Sequence, residues 1–93
     1  MFRLEYKNQF KKDLKLLKKR SVKDFNILLQ FLKELQDSGC DGIPKKNRPH
    51  RLSGNFKGIC EAHVKPDLLL LWEEKEGSDQ IILIRTGTHS DLF

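Results

Sequence analysis

Apolar and polar residues change their period along this chain. Phe2, Leu4 and Tyr6 alternate with Arg3 and Glu5, the pattern of a short half-buried strand. Phe10, Leu14 and Leu17 then recur at helical spacing behind Asn8, a residue type that caps helix N-termini, and predict a first helix over 8–20. Ser21 followed three residues later by Asp24 has the form of a capping box with a shortened acid. Phe25, Leu28, Leu29, Leu32 and Leu35 carry a second apolar stripe as far as Gly39, a helix-ending glycine. Two helices joined by so tight a turn predict an antiparallel αα-hairpin.

From 38 to 49, Gly, Pro, Asp and Asn interrupt any apolar period, and a mobile loop is expected. From His50 onward the period is two. Gly54 to Gly58 reads as a turn. Ile59, Glu61 and His63 fall on one face of a strand, and Cys60, Ala62 and Val64 on the other. Pro66-Asp67 opens a turn, Leu68 to Trp72 reads as a buried strand, Gly77-Ser78-Asp79 as a hairpin tip, and Ile81 to Arg85 as a further strand. The order β-α-α-β-β-β predicts an α+β fold. A small antiparallel sheet packs by one face on an N-terminal αα-hairpin, and its other face is free to be polar. Ninety-three residues without repeats or low-complexity tracts predict a single domain, 1–93, with a modest core.

Charge divides this pattern into two halves. Residues 1–51 carry 14 Lys and Arg against 6 Asp and Glu, and residues 52–93 carry 4 against 7, so the net +5 is a strongly basic half joined to a mildly acidic one. A lysine-rich helix taken alone is a solvated surface. Beside a histidine-rich half, the lysines at 11, 12, 15, 18 and 19 point instead to a polyanion such as RNA. The longest apolar run, Leu68 to Trp72, is far short of a membrane span, so no membrane partner is expected. Cys40 and Cys60 lack close spacing and no signal peptide precedes them, which suits a reduced, cytoplasmic protein.

All three histidines lie between His50 and the C-terminus. Metal-free cleavage of RNA needs a base for the 2′-OH proton, an acid for the departing 5′-oxygen, and a cation for the charged phosphorane. His50, His63, Asp67 and His89 supply proton-transferring types, and Arg85 offers a planar fork of donors for a phosphate. Glu61 can orient a histidine or pair in a salt bridge. Phe93 can staple the tail or stack on a base, while Trp72 and Cys60 read as core. The same histidines and Asp67 are acceptable zinc ligands, but no H-x-x-x-H, C-x-x-C or H-E-x-x-H spacing occurs, so neither a metal nor another cofactor is expected.

Three motifs carry a family resemblance: His50-x-Leu52-x-Gly54-x-x-Lys57, Glu61-x-His63-x-x-Pro66-Asp67-Leu68-Leu69-Leu70, and Arg85-x-Gly87-x-His89-Ser90-x-Leu92-Phe93. With Phe10-Lys11-Lys12-Asp13 and the lysine-rich hairpin, they closely resemble the YafQ branch of the RelE superfamily of bacterial toxins over nearly the whole chain. The resemblance implies the toxin half of a type II toxin–antitoxin system with a microbial-ribonuclease fold. It implies mRNA cleavage in the ribosomal A site, without metal, giving a 2′,3′-cyclic phosphate and a 5′-OH. It also implies a cognate antitoxin, through which alone operator DNA would be reached. Carried over residue by residue, the site is His50, His63, Asp67, Arg85, His89 and Phe93. The resemblance casts His89 as acid, His63 with Asp67 as the base side, His50 as assisting, Arg85 on the scissile phosphate and Phe93 on a base. Leu68 stands where relatives can carry an aromatic, which bears on codon preference. A ParE-like gyrase-binding toxin and a basic nucleic-acid-binding module are the rival readings; neither needs the His/Asp/His set.

Overall fold

The computed structural model describes residues 1–52, 54, 58–75 and 77–93. In chain order these form β1 (Arg3–Tyr6), α1 (Asn8–Arg20), α2 (Val22–Ser38), two 3-10 turns (Cys40–Gly42 and Lys45–Asn47), β2 (His50–Arg51), β3 (Ile59–Lys65), β4 (Leu68–Glu74), β5 (Gln80–Gly87) and α3 (His89–Leu92). The α+β architecture is as expected. The sheet, however, runs β1-β5-β4-β3-β2, and its first pair is parallel, with Arg3 opposite Gln80 and Tyr6 opposite Leu83. It is therefore a mixed sheet, antiparallel only from β5 to β2. The two helices between β1 and the later strands make the crossover that a parallel pair requires.

The helices start and stop for local reasons. Asn8 is not the cap expected of it. The N–H of Lys7 is already bonded to the Leu83 carbonyl, continuing the β1–β5 pairing, so the chain passes straight from strand into helix at Lys7 without a side-chain cap. Ser21 does cap α2, its hydroxyl accepting the Asp24 N–H at 3.1 Å. Asp24 does not complete the box and instead binds Lys65 of β3 at 2.8 Å. Gly39 ends α2 with φ near 69°, a left-handed value that suits glycine, and a Cβ there would press on the Phe2 ring at 2.9 Å.

The segment after α2 is more structured than its composition suggests. Beyond the two 3-10 turns, the Asn47 amide donates to the His63 carbonyl at 2.8 Å and ties the segment to β3. The turn expected between Gly54 and Gly58 has Ser53 and residues 55–57 outside the described residues, as does Glu76 of the β4–β5 hairpin.

Phe10, Leu17, Leu28, Phe31, Leu32 and Leu35 of the helices meet Cys60, Ala62, Val64, Leu70, Trp72, Ile81 and Leu83 of the sheet in one buried cluster. Each such Leu, Ile or Phe side chain contributes roughly 1.5–3 kcal/mol by leaving water. The opposite face is not uniformly polar. Leu69 and Ile82 are buried there, so an apolar layer lies among the polar groups of that face. Among the described residues no helix is long and apolar enough to cross a membrane.

Candidate active site

The open face of the sheet gathers the histidines through strand pairing. His50 on β2 lies opposite Glu61 on β3, and Glu61 and His63 share a face because they are two residues apart on one strand. His63 is opposite Leu69, which is opposite Gly87, so the row runs across three strands to the point where β5 ends. Thr88 then caps α3 in a reciprocal box with Asp91, which turns the chain so that His89 returns towards His63. The two imidazole centroids are 5.6 Å apart. Gly87 permits this turn: a Cβ there would sit 2.9 Å from the Asp91 carboxylate.

Each histidine has its Nδ1 against an oxygen acceptor. His89 Nδ1 lies 2.7 Å from Asp67 Oδ1, and the His89 backbone N–H donates to the same oxygen at 3.1 Å. A carboxylate can only accept, so the geometry assigns the proton to Nδ1 and frees Nε2. The side-chain bond from His89, then its backbone bond, lower the Asp67 pKa below its ordinary value. His63 Nδ1 faces the Pro66 carbonyl at a long 3.4 Å, again leaving Nε2 for other work. His50 places Nδ1 3.1 Å from the Arg48 carbonyl and Nε2 3.4 Å from Glu61 Oε1. Asp67 thus partners His89, not the His63 with which the family resemblance groups it.

Arg85 is placed by a bulge. The β4–β5 register shifts so that Leu71 faces Arg85 while Trp72 faces Leu83, which leaves Ile84 as the extra residue and brings Arg85 into the cross-strand row of Leu71 and Glu61. Its Nε and Nη2 donate to Asp13 of α1 at 2.8 and 3.3 Å. The bond from Asp13 raises the Arg85 pKa, so the guanidinium stays charged. Asp13 is buried and also accepts the Thr86 N–H at 3.1 Å and the Gln9 amide at 3.1 Å. It meets the edge of β5 beyond the last residue paired with β1. Asp13, Arg20, Asp67, Arg85 and Asp91 are among the residues that line a cleft of about 300 Å³.

Asp13 and Asp91 are not among the site residues expected from the sequence. Asp13 has a visible signal, because with Phe10, Leu14 and Leu17 it occupies a core position of the helical stripe, where a charge needs a partner. Asp91 gives no such signal, since its meaning depends on Arg20, which binds it at 2.7 and 3.2 Å across 71 residues of chain. That bond, together with the Thr88 cap, lowers the Asp91 pKa to about 2. Phe93 stands exposed one residue beyond α3. Lys11, Lys12, Lys15, Lys18 and Lys19 are all exposed on α1.

Comparison with known proteins adds to this geometry. Residues 2–93 match the model of the family described as bacterial toxin of type II toxin–antitoxin system, YafQ. The chain is 38% identical over 91 residues to the mRNA interferase toxin YafQ of Escherichia coli K12, covering 97% of this chain and 94% of that protein. It superposes on the E. coli DinJ–YafQ complex structure with a TM-score of 0.82 at 36% identity, covering 100% of this chain and 99% of the other. A metal-bound toxin from Helicobacter pylori superposes with a TM-score of 0.85 at 35% identity, with both chains fully covered.

Proposed function

The chain belongs to the YafQ family of type II toxin–antitoxin toxins and is an mRNA interferase, an endoribonuclease; from that premise we propose that it cuts mRNA in the ribosomal A site by proton transfer between side chains, without a metal. The substrate's 2′-oxygen attacks the adjacent phosphorus as a base removes its proton. The P–O5′ bond then breaks as an acid protonates the 5′-oxygen, leaving a 2′,3′-cyclic phosphate and a 5′-OH.

The observation that carries this reading is the pair of imidazoles 5.6 Å apart, close enough to flank one phosphodiester. His89 acts as the doubly protonated imidazolium: its Nδ1–H stays on Asp67 and its Nε2–H passes to the leaving 5′-oxygen. His63 accepts the 2′-OH proton through Nε2, and His50 with Glu61 assists on that side. Arg85 donates to the phosphorane oxygens. Asp13 is a positioning residue: it holds the guanidinium by Nε and Nη2 and so presents the rest of the fork in one orientation. Phe93 stacks on a base and fixes the nucleotide. The exposed lysines of α1 contact ribosomal RNA, and the ribosome positions the mRNA, a contribution worth orders of magnitude in rate.

The E. coli relative is solved with DinJ. By the same likeness this chain binds a cognate antitoxin and meets operator DNA only through it. The rival binding-only readings, on gyrase or on nucleic acid, leave the facing histidines without a task.

Single-turnover cleavage of ribosome-bound mRNA tests the mechanism. A 2′-deoxy nucleotide on the 5′ side of the scissile phosphate abolishes the cut if the 2′-oxygen is the nucleophile, and a transition-metal-selective chelator, with the ribosome's Mg²⁺ held constant, leaves the normal substrate's rate unchanged. Cleavage of the deoxy substrate at the normal rate, or activity lost to the selective chelator at constant Mg²⁺ and restored by zinc, would overturn it. Equal rates on free and ribosome-bound mRNA would remove the ribosome from the mechanism.

A further inference from the structure

A second cluster of chemical groups lies away from the histidines. Cys40, in the 3-10 turn after α2, Cys60 on β3 and Glu74 at the end of β4 place two sulfurs and a carboxylate oxygen within 4.8 Å of one another. Both cysteines are free and buried. The carboxylate accepts the Cys40 and Trp72 N–H groups through Oε1, but nothing in the nuclease chemistry uses the two thiols or its second oxygen.

We propose that Cys40, Cys60 and Glu74 form a binding site for a thiophilic divalent cation of the zinc type. Two thiolates and a carboxylate make a borderline-soft donor set suited to zinc, with the fourth tetrahedral position left to water. The surroundings are arranged to hold Glu74 still. Its Oε1 accepts the Cys40 backbone N–H and the indole N–H of Trp72, the latter at 3.2 Å, which leaves Oε2 for an ion. Bonds of this kind, one step out from the metal, orient ligands and strengthen binding.

An entry path exists. A surface cavity lined by Phe2, Arg51, Gly58, Glu74 and Lys75 opens onto the carboxylate. Arg51 stands at its mouth, 3.5 Å from Cys60 Sγ and 3.9 Å from Glu74 Oε2, and also reaches the exposed Asp41 at 3.5 Å. It is half exposed, so it can swing to Asp41 as an ion enters. Charge closes in both states. Two neutral thiols, Glu74 and Arg51 sum to zero; two thiolates, Glu74, Arg51 and a divalent ion also sum to zero. Binding releases the two S–H protons to solvent. The bound ion ties the turn at Cys40 to β3 and β4 and pins the segment that leads on to His50. This site lies apart from the histidines of the proposed nuclease mechanism.

Trp72 provides the probe, because it is the chain's only tryptophan, lies opposite Cys60 and bonds Glu74. The reduced full chain is titrated with Co²⁺ while thiolate-to-metal charge-transfer absorption and Trp72 emission are followed. One equivalent is expected to produce the absorption and quench the emission, and Zn²⁺ to displace it and raise the melting temperature. Cys40→Ala and Glu74→Gln, each checked for folding by circular dichroism, are expected to lose or weaken the signal, and His63→Ala/His89→Ala to keep it. No thiolate absorption in the wild type, its persistence in Cys40→Ala, or its loss only in the histidine variant overturns the proposal.

Discussion

On β3, Cys60, Ala62 and Val64 turn towards the helices and are buried, while Glu61 and His63, one residue out of phase, stay half-buried and meet His50 and His89. The same division continues on β4 and β5. Leu70, Trp72 and Leu83 join the core, whereas Leu71 and Arg85 fall in the row of Glu61. Alternation along a strand therefore separates stability from chemistry at a spacing of one residue. The separation is incomplete at β5, where a core-position carboxylate on α1, Asp13, reaches the phosphate-binding arginine of the proposed mechanism.

The clearest way to break this comparison is to remove one group from each face. His89→Ala deletes the proposed acid and is expected to lower the single-turnover cleavage rate by roughly 10²–10⁴-fold. Its denaturant midpoint should stay near the wild-type value, because His89 is exposed and outside the core. Leu70→Ala does the reverse. It removes a fully buried side chain and should cost about 2–5 kcal/mol of stability, with the cleavage rate per folded molecule unchanged. If His89→Ala unfolds the protein, or Leu70→Ala folds normally but does not cut, the faces are not separable.

Asp13→Asn tests the one residue that crosses the divide. It keeps an acceptor for the Thr86 N–H but loses the charged pair with Arg85. A charge-assisted bond of about 1.5–3 kcal/mol corresponds to a fall of roughly ten- to a hundredfold in cleavage at saturating ribosome. Asp13→Glu should restore part of it. A purely structural Asp13 would change the unfolding midpoint and leave the rate of the folded fraction alone.

Smaller effects belong to the outer charges. Neutralising Lys11, Lys12, Lys15 and Lys18 together is expected to weaken ribosome binding. The salt slope should flatten by about 0.7–0.9 for each phosphate that a lysine no longer neutralises, with little change in saturated rate. Arg20→Ala acts on α3. Arg20, with the Thr88 cap, lowers the Asp91 pKa from its ordinary 3.8 to about 2, so these bonds contribute stability above about pH 4 and that contribution is lost as pH falls towards 2. Equilibrium unfolding across that window should show a shallower acid limb in Arg20→Ala than in the wild type.

Local features are legible in the sequence, and long-range ones are hidden. The phase of Glu61 and His63 against Cys60 and Ala62, the cap at Ser21 and the stop at Gly39 depend on near neighbours, and each is present as expected. The parallel pairing of β1 with β5 joins residues some 77 apart, and nothing local in Arg3–Tyr6 specifies a partner. The bulge at Ile84 is hidden for the same reason, since a register shift is a property of two strands. The helix in the tail escapes the periodicity because four residues are too few to show one, although Thr88 and Asp91 spell its capping box. At the site, His50, His63, Asp67, Arg85 and His89 are nameable from residue chemistry and family resemblance. That Asp67 serves His89 depends on the return of the chain after Gly87, which no local pattern reveals.

The proposed mechanism turns on two facing imidazoles exchanging protons with one phosphodiester. The pH–rate profile of single-turnover cleavage on programmed ribosomes, measured for the wild type, His63→Ala and His89→Ala, tests this most directly. A bell is expected for the wild type, with one limb missing in His63→Ala and the other in His89→Ala. A bell that persists unchanged in both variants, or a wild-type rate indifferent to pH, would contradict it.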